Sequence, residues 1–190
     1  MTNLTKLDAA RSQLVTALQL LFVNRDSVSI YALATNAQEV LSALCLQRGV
    51  RSLRANIARP AGMTDLAVQT SLINPARNFF KHADRDPDAV WSDFSDDQCD
   101  HILLIACFDL VELDGKSPIE VQVFLTWYAA LYPDKIPQGS DWQKAAARKF
   151  PGLAELPREM QKRHAMRMID AAFQNDWLVN HPETDARTYR

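Results

Sequence analysis

Apolar residues return every three or four positions along much of the chain. The first stripe, Leu4, Leu7, Leu14, Leu18 and Leu21, predicts a helix running to about Val23. After a polar turn at Asn24 to Ser27, Ile30, Leu33, Ala37, Val40 and Leu44 repeat the spacing, and Gly49 is placed to end this second helix. The expected opening is a pair of antiparallel helices joined by a short turn. From Gly49 to Met63 the period lapses, and Arg51, Arg54, Arg59, Pro60 and Gly62 read as a basic loop.

Asn74-Pro75 supplies an N-cap and a first-turn proline, so the next helix is expected to begin there and to end near Asp84 to Pro87. Residues 97–113 are apolar almost all round, the pattern of a helix at the centre of a core. Ser117-Pro118-Ile119-Glu120 combines an N-cap, a first-turn proline and a capping-box glutamate, and opens a helix stopped near Pro133. Ser140-Asp141-Trp142-Gln143 has the form of a second capping box. Pro157 opens a last helix through Met160, Met168, Ile169, Phe173 and Trp177, and from His181 the chain is polar enough to fray.

No window alternates with a period of two, so the predicted fold class is all-α, a helical bundle of about six to eight helices. One domain is expected over residues 1–180, with a polar C-terminal tail at 181–190. At 190 residues with 47% hydrophobic content, such a domain needs no metal or disulfide staple to build its core.

Charge adds a second level of organisation. The net charge of −2 advertises neither nucleic acid nor membrane, but it is unevenly spread. Residues 1–82 carry a net +5, residues 83–140 a net −9 and residues 141–190 a net +2, a distribution suited to internal pairing between segments. Cys45, Cys99 and Cys107 form no CxxC and lie in apolar helical patterns, as expected of reduced thiols in a cytoplasmic protein. The longest apolar run, Ile102 to Phe108, is too short to span a bilayer, and residues 1–4 lack a signal-peptide pattern; no membrane partner is expected.

Several chemistries lose their usual evidence. Asp84, Asp86 and Asp88 have the opening spacing of a calcium loop, but Ala89 stands at its glycine position and Ser95 at its glutamate position. Glu-x-x-His, GxSxG, HExxH and Gly-rich phosphate loops are absent from the sequence, so no metal or cofactor is expected. Asp96, Asp97 and Asp100 suit the first turn of a helix by their charge alone.

Attention therefore settles on Ala76-Arg77-Asn78-Phe79-Phe80-Lys81-His82-Ala83-Asp84-Arg85-Asp86. A helix starting at Asn74 would put Arg77 in a first turn that favours anions, while His82 can exchange protons near neutral pH. Lys81 and Arg85 add positive charge. Five residues of α-helix separate Arg77 from His82 by about 140°, so one helix cannot aim both at a single phosphate unless it ends between them or two copies meet. Phe79 and Phe80 are expected to face the core. The plainer alternative pairs Arg77 with an acid and leaves His82 capping a helix end.

Arg77 to His82 also resembles the R-x4-H signature of HEPN domains, with a polar residue directly after the arginine. The longer string NFFKHADRDP resembles one found in a bacterial family of unknown function. The HEPN resemblance implies metal-independent RNA cleavage at a composite site in a homodimer, on a HEPN-like core with additional C-terminal helices. It makes Arg77 and His82 catalytic, the first holding phosphate and the second moving protons. Asn78, Lys81 and Arg85 would bind the substrate, with Asn78 orienting the catalytic pair. More than half the chain follows His82, a departure from the late position that this motif usually has. Two non-catalytic alternatives stand beside this one: a helical interaction protein that holds a protein partner through Arg51, Arg54 and Arg59 or through its acidic middle, and a ligand-binding protein with a pocket lined by Trp127, Tyr128 and Trp142.

Overall fold

The structure is a computed structural model that describes residues 3–58, 62, 64–92, 94–185 and 187. It is an all-α helical bundle; the strands among the described residues are two pieces of two residues each. The chain gathers into two compact units. Met1–Ala17 with Asp26–Asp114 form the first, and Leu18–Arg25 with Gly115–Arg190 the second.

In the first unit, α1 (Lys6–Phe22, up to Ala17) is followed by α2 (Ser27–Gln47), and later by α6 (Asp97–Asp114). Asp26 caps α2 by accepting from the backbone N–H groups of Val28 and Ser29, and its hydrogen bonds to Ser29 hold its carboxyl below the usual pKa. The buried positions Ile30, Ala34, Ala37, Leu41 and Cys45 on α2 follow the three-and-four period, as do Cys99, Leu103, Ala106 and Leu110 on α6. These two helices make the most extensive pairing in the unit. Arg11 on α1 is buried and bridges Asp8 at 3.0 Å and Asp114 at 2.7 Å, which ties α1 to the end of α6.

The segment between α2 and α6 departs from its sequence reading. The expected basic loop contains a short helix, α3 (Leu53–Ala58); Arg59 lies outside the described residues. Asn74 is not an N-cap. A helix already runs through α4 (Asp65–Val68) and a π-helical turn at Gln69–Ile73 into α5 (Asn74–Phe79), with Ile73 and Asn74 both in the right-handed helical region. Pro75 cannot donate a backbone hydrogen bond and its ring crowds the preceding turn, a conflict that a wider turn relieves. Phe80 caps α5. Its ring then packs edge-on against Tyr31 and Phe94, with centroids at 6.0 and 5.1 Å, while Phe79 meets Trp91 at 5.6 Å.

The second unit is built on α7 (Ile119–Leu131), where Phe124 and Trp127 are fully buried against Phe22. Around it stand α8 (Asp141–Lys149), α9 (Arg158–Phe173) and α10 (Asp176–Val179). The start of α7 also differs from its reading. Pro118 occupies the cap position, because β1 (Ser117–Pro118) pairs in parallel with β2 (Thr184–Asp185). Glu120 is buried and accepts from the Gln19 side-chain amide at 3.0 Å instead of closing a capping box. Pairing with Ser117 and Pro118 also gives Thr184 and Asp185 a fixed, buried place where fraying was expected. At α8 the Ser140 hydroxyl does cap Gln143, whose side-chain oxygen accepts from the Gly139 N–H at 2.8 Å.

Lys162 on α9 is also buried, with its ammonium donating to the Asn24 side-chain oxygen at 2.8 Å. Asn24 holds a left-handed φ of 56° in the turn after α1. No helix among the described residues is long and apolar enough to cross a membrane.

Candidate functional site

The wide turn at Gln69–Ile73 organises one face of the first unit. Residues five apart point about 140° away from each other on an α-helix, but a π turn closes its hydrogen bond between them. The Asn74 N–H accordingly donates to the Gln69 carbonyl, and the Gln69 side-chain amide donates to the Asn74 side-chain oxygen at 2.8 Å. Gln69 uses its other end to accept from the Arg54 guanidinium. Arg54, Gln69 and Asn74 thus form a chain of polar contacts linking α3 to the π turn.

That chain lines a cavity of about 370 Å³, which Arg51, Arg77 and Glu39 also border. Arg77 donates to Glu39 on α2, and its Nε is buried with no hydrogen-bond partner among the described residues. The three arginines come from the approach to α3, from α3 itself and from α5. An apolar side is supplied by Ala43, Leu46, Val50 and Ala55.

Ser42 and Ser52 form the remaining wall, and behind them sits Asp109. Asp109 is fully buried in α6. Its Oδ2 accepts from both serine hydroxyls at 2.9 Å, and its Oδ1 accepts from the Leu53 N–H at 2.8 Å. Burial pushes the Asp109 carboxyl pKa up, opposed in part by those hydrogen bonds and by the charge of Arg54. Asp109 therefore fixes the start of α3 against α2 and α6. The sequence signal for it was slight: a lone acid inside an otherwise apolar run.

The residues singled out from the R-x4-H spacing do not all meet. Asn78, His82 and Arg85 border a second cavity of about 340 Å³, with Phe79 and Trp91 on its apolar side. Arg77, inside α5, borders the first cavity, and the helix ends before His82 without bringing the two together. The expected approach of Arg77 to an anion through a free first turn does not apply, since helix continues upstream of Asn74. The pairing of Arg77 with an acid is found. Lys81 is exposed and donates to the Asn36 side-chain oxygen at 2.7 Å. His82 follows α5 by three residues, and its Nδ1 stands 3.8 Å from Asp84 Oδ1, farther than a hydrogen bond.

Trp127, Tyr128 and Trp142, expected to line a ligand pocket, border neither of the two cavities just described. Trp127 and Tyr128 are buried, and the indole N–H groups of Trp127 and Trp142 donate to the carbonyls of Gln161 at 2.9 Å and Leu125 at 3.2 Å. These rings are spent on packing. Among the described residues no group of three or more His, Cys, Asp or Glu side chains is arranged to hold a metal ion. No protein-family model, curated protein or solved structure matches the chain.

Proposed function

We propose that this protein is a non-catalytic helical binding protein whose first unit takes an anionic small molecule in the cavity bordered by Arg51, Arg54 and Arg77. One observation carries this reading: three arginines from three separate segments border one cavity, against Glu39 as the one acid among its lining residues. Guanidinium groups recognise oxyanions through charge-assisted, directional hydrogen bonds, and a cavity of this size suits a compact ligand. The free, buried cysteines Cys45, Cys99 and Cys107 are compatible with a reducing, cytoplasmic setting.

The test is calorimetric titration of the full chain with organic carboxylates, sulfonates and phosphates, repeated on an Arg51→Gln/Arg54→Gln variant with a native circular dichroism spectrum. Loss of two charge-assisted contacts predicts an affinity at least about tenfold weaker in the variant. Equal affinity in both proteins would refute the reading.

A second reading retains the HEPN-like nuclease. It is favoured by the shared cavity of Asn78, His82 and Arg85, where His82 would move protons and Arg85 would hold phosphate, with Arg77 available to the reaction only from a second copy of the chain in a homodimer. Cleavage of total RNA in excess EDTA by the wild type, absent in His82→Ala, is the expected outcome of that reading. Absence of cleavage by both would leave binding alone.

A further inference from the structure

Resting on the binding reading just given, we infer that the ligand of the arginine cavity is a phosphate monoester carrying a compact apolar group. The donor set argues for the head. Arg51, Arg54 and Arg77 come to the border of the cavity from three segments of the chain, and a phosphate monoester presents three terminal oxygens where a diester presents two non-bridging oxygens and a carboxylate two in all. The buried Arg77 Nε is a donor whose partner is not supplied by the described residues, although its Nη2 is held by Glu39.

The other polar groups divide the work. Both serine hydroxyl protons go to Asp109, so Ser42 and Ser52 have no proton left to offer a ligand. Gln69 is engaged at both ends, accepting from Arg54 and donating to Asn74, and acts as a positioning residue that aims the Arg54 guanidinium. Asn74 accepts from Gln69 through its side-chain oxygen and keeps its amide N–H groups, so donation to the ligand falls to the guanidiniums and to Asn74. Glu39 restricts what they can receive: it already satisfies part of Arg77, and a weakly charged ligand would have to compete with it.

The body of the ligand is set by the opposite side. Ala43, Val50 and Ala55 offer short apolar side chains, and Leu46 beside them is 82% exposed, an uncovered apolar edge at the same cavity. A small ring or branched alkyl group attached to the phosphate would cover that edge while the head met the guanidiniums. A long polyanion fits this arrangement less well, because its repeating phosphates would need a basic track and not one apolar-sided cavity.

The experiment compares three probes sharing one phenyl group: phenyl phosphate, methyl phenyl phosphate and benzoate, each titrated into the full chain at pH 8 and pH 5. At pH 8 phenyl phosphate is expected to bind at least tenfold tighter than either of the others. At pH 5 that preference should shrink several-fold, since a monoester dianion takes up one proton near pH 6 and becomes a monoanion like the diester. Arg77→Lys, which keeps the charge and removes the fork, should reduce the preference for phenyl phosphate more than it changes benzoate binding. Comparable binding of phenyl phosphate and methyl phenyl phosphate at pH 8 would overturn the monoester assignment and leave the anion-binding reading intact. Binding of phenyl phosphate that survives Arg51→Gln/Arg54→Gln undiminished would overturn both. No binding of phenyl phosphate, with some other anion bound and lost in that variant, would overturn the monoester assignment alone.

Discussion

Gln69 and Asn74 are five residues apart and joined side chain to side chain at 2.8 Å on the border of one cavity, whereas Arg77 and His82, also five apart, border two different cavities. The difference lies in the backbone. Gln69 and Asn74 enclose a π turn, and Arg77 and His82 straddle the end of an ordinary α-helix. The same sequence interval thus gives opposite outcomes, with consequences for what each residue can be asked to do.

Gln69→Ala removes the group that holds Arg54 without removing a charge. With about 0.5–1.5 kcal/mol at stake in such a hydrogen bond, binding of an anion at the arginine cavity is expected to weaken by about three- to tenfold. Calorimetric titration beside a thermal melt checks this: unchanged affinity in a folded variant would show that Arg54 is aimed by something other than Gln69.

Asp109→Ala would leave the Leu53 N–H and the hydroxyls of Ser42 and Ser52 without their shared acceptor, at an expected cost of about 2–4 kcal/mol in urea unfolding. Asp109→Asn, which retains one acceptor, should cost about half as much. The pH dependence has a definite sign. Burial raises the Asp109 pKa in the folded state above its ordinary value of 3.8, so its contribution to stability is fully present below that value and declines as pH rises through the raised one. Stability of the wild type relative to Asp109→Asn should therefore fall as pH climbs from about 3.8 through the raised folded-state value. A rise over that interval would show that hydrogen bonding, and not burial, dominates the carboxyl.

Tyr31 is buried and donates to the Ile73 carbonyl at 3.2 Å, at the end of the π turn. Burial, with a smaller contribution from Cys99, pushes its pKa up to about 12 from the ordinary 10.0. The folded state keeps this phenol neutral where the unfolded chain ionises it, so stability is lost as pH rises between those two values. Ultraviolet titration of the wild type against Tyr31→Phe should reveal one tyrosine ionising late. At neutral pH the substitution should cost about 1 kcal/mol.

His82→Ala should leave anion binding at the arginine cavity within about twofold of wild type, since each substitution acts on its own cavity when sites share no partner. A loss of tenfold or more would mean that the two cavities are coupled through α5. The same variant decides the nuclease reading, so one protein separates the two functions.

Regular parts of the fold were legible because period and capping are local. The apolar window at 97–113 is the helix Asp97–Asp114, and Ser140 caps its helix as its spacing implies. Asn74-Pro75 misled for an equally physical reason: the dipeptide that starts many helices also suits the exit of a widened turn, and what precedes it decides between the two. Ser117 lost its capping role to a pairing with Thr184, 67 positions later, which no short window can contain. The site followed the same division. Arg51, Arg54 and Arg77 stood out by charge, but their convergence depends on Gln69, Glu39 and Asp109, whose partners lie on other helices.

One extra residue in a helical turn acts as a phase shift on everything that follows. Had the chain from Asp65 continued as an unbroken α-helix, α5 would be rotated by about 100°, one residue's worth, about its own axis. Arg77 would then swing off the cavity and a neighbour would take its bearing. The identity of the side chain that α5 presents there is thus set upstream, by the winding at Gln69–Ile73, and an insertion or deletion in that turn would redial the face of α5 without touching a single residue of that helix.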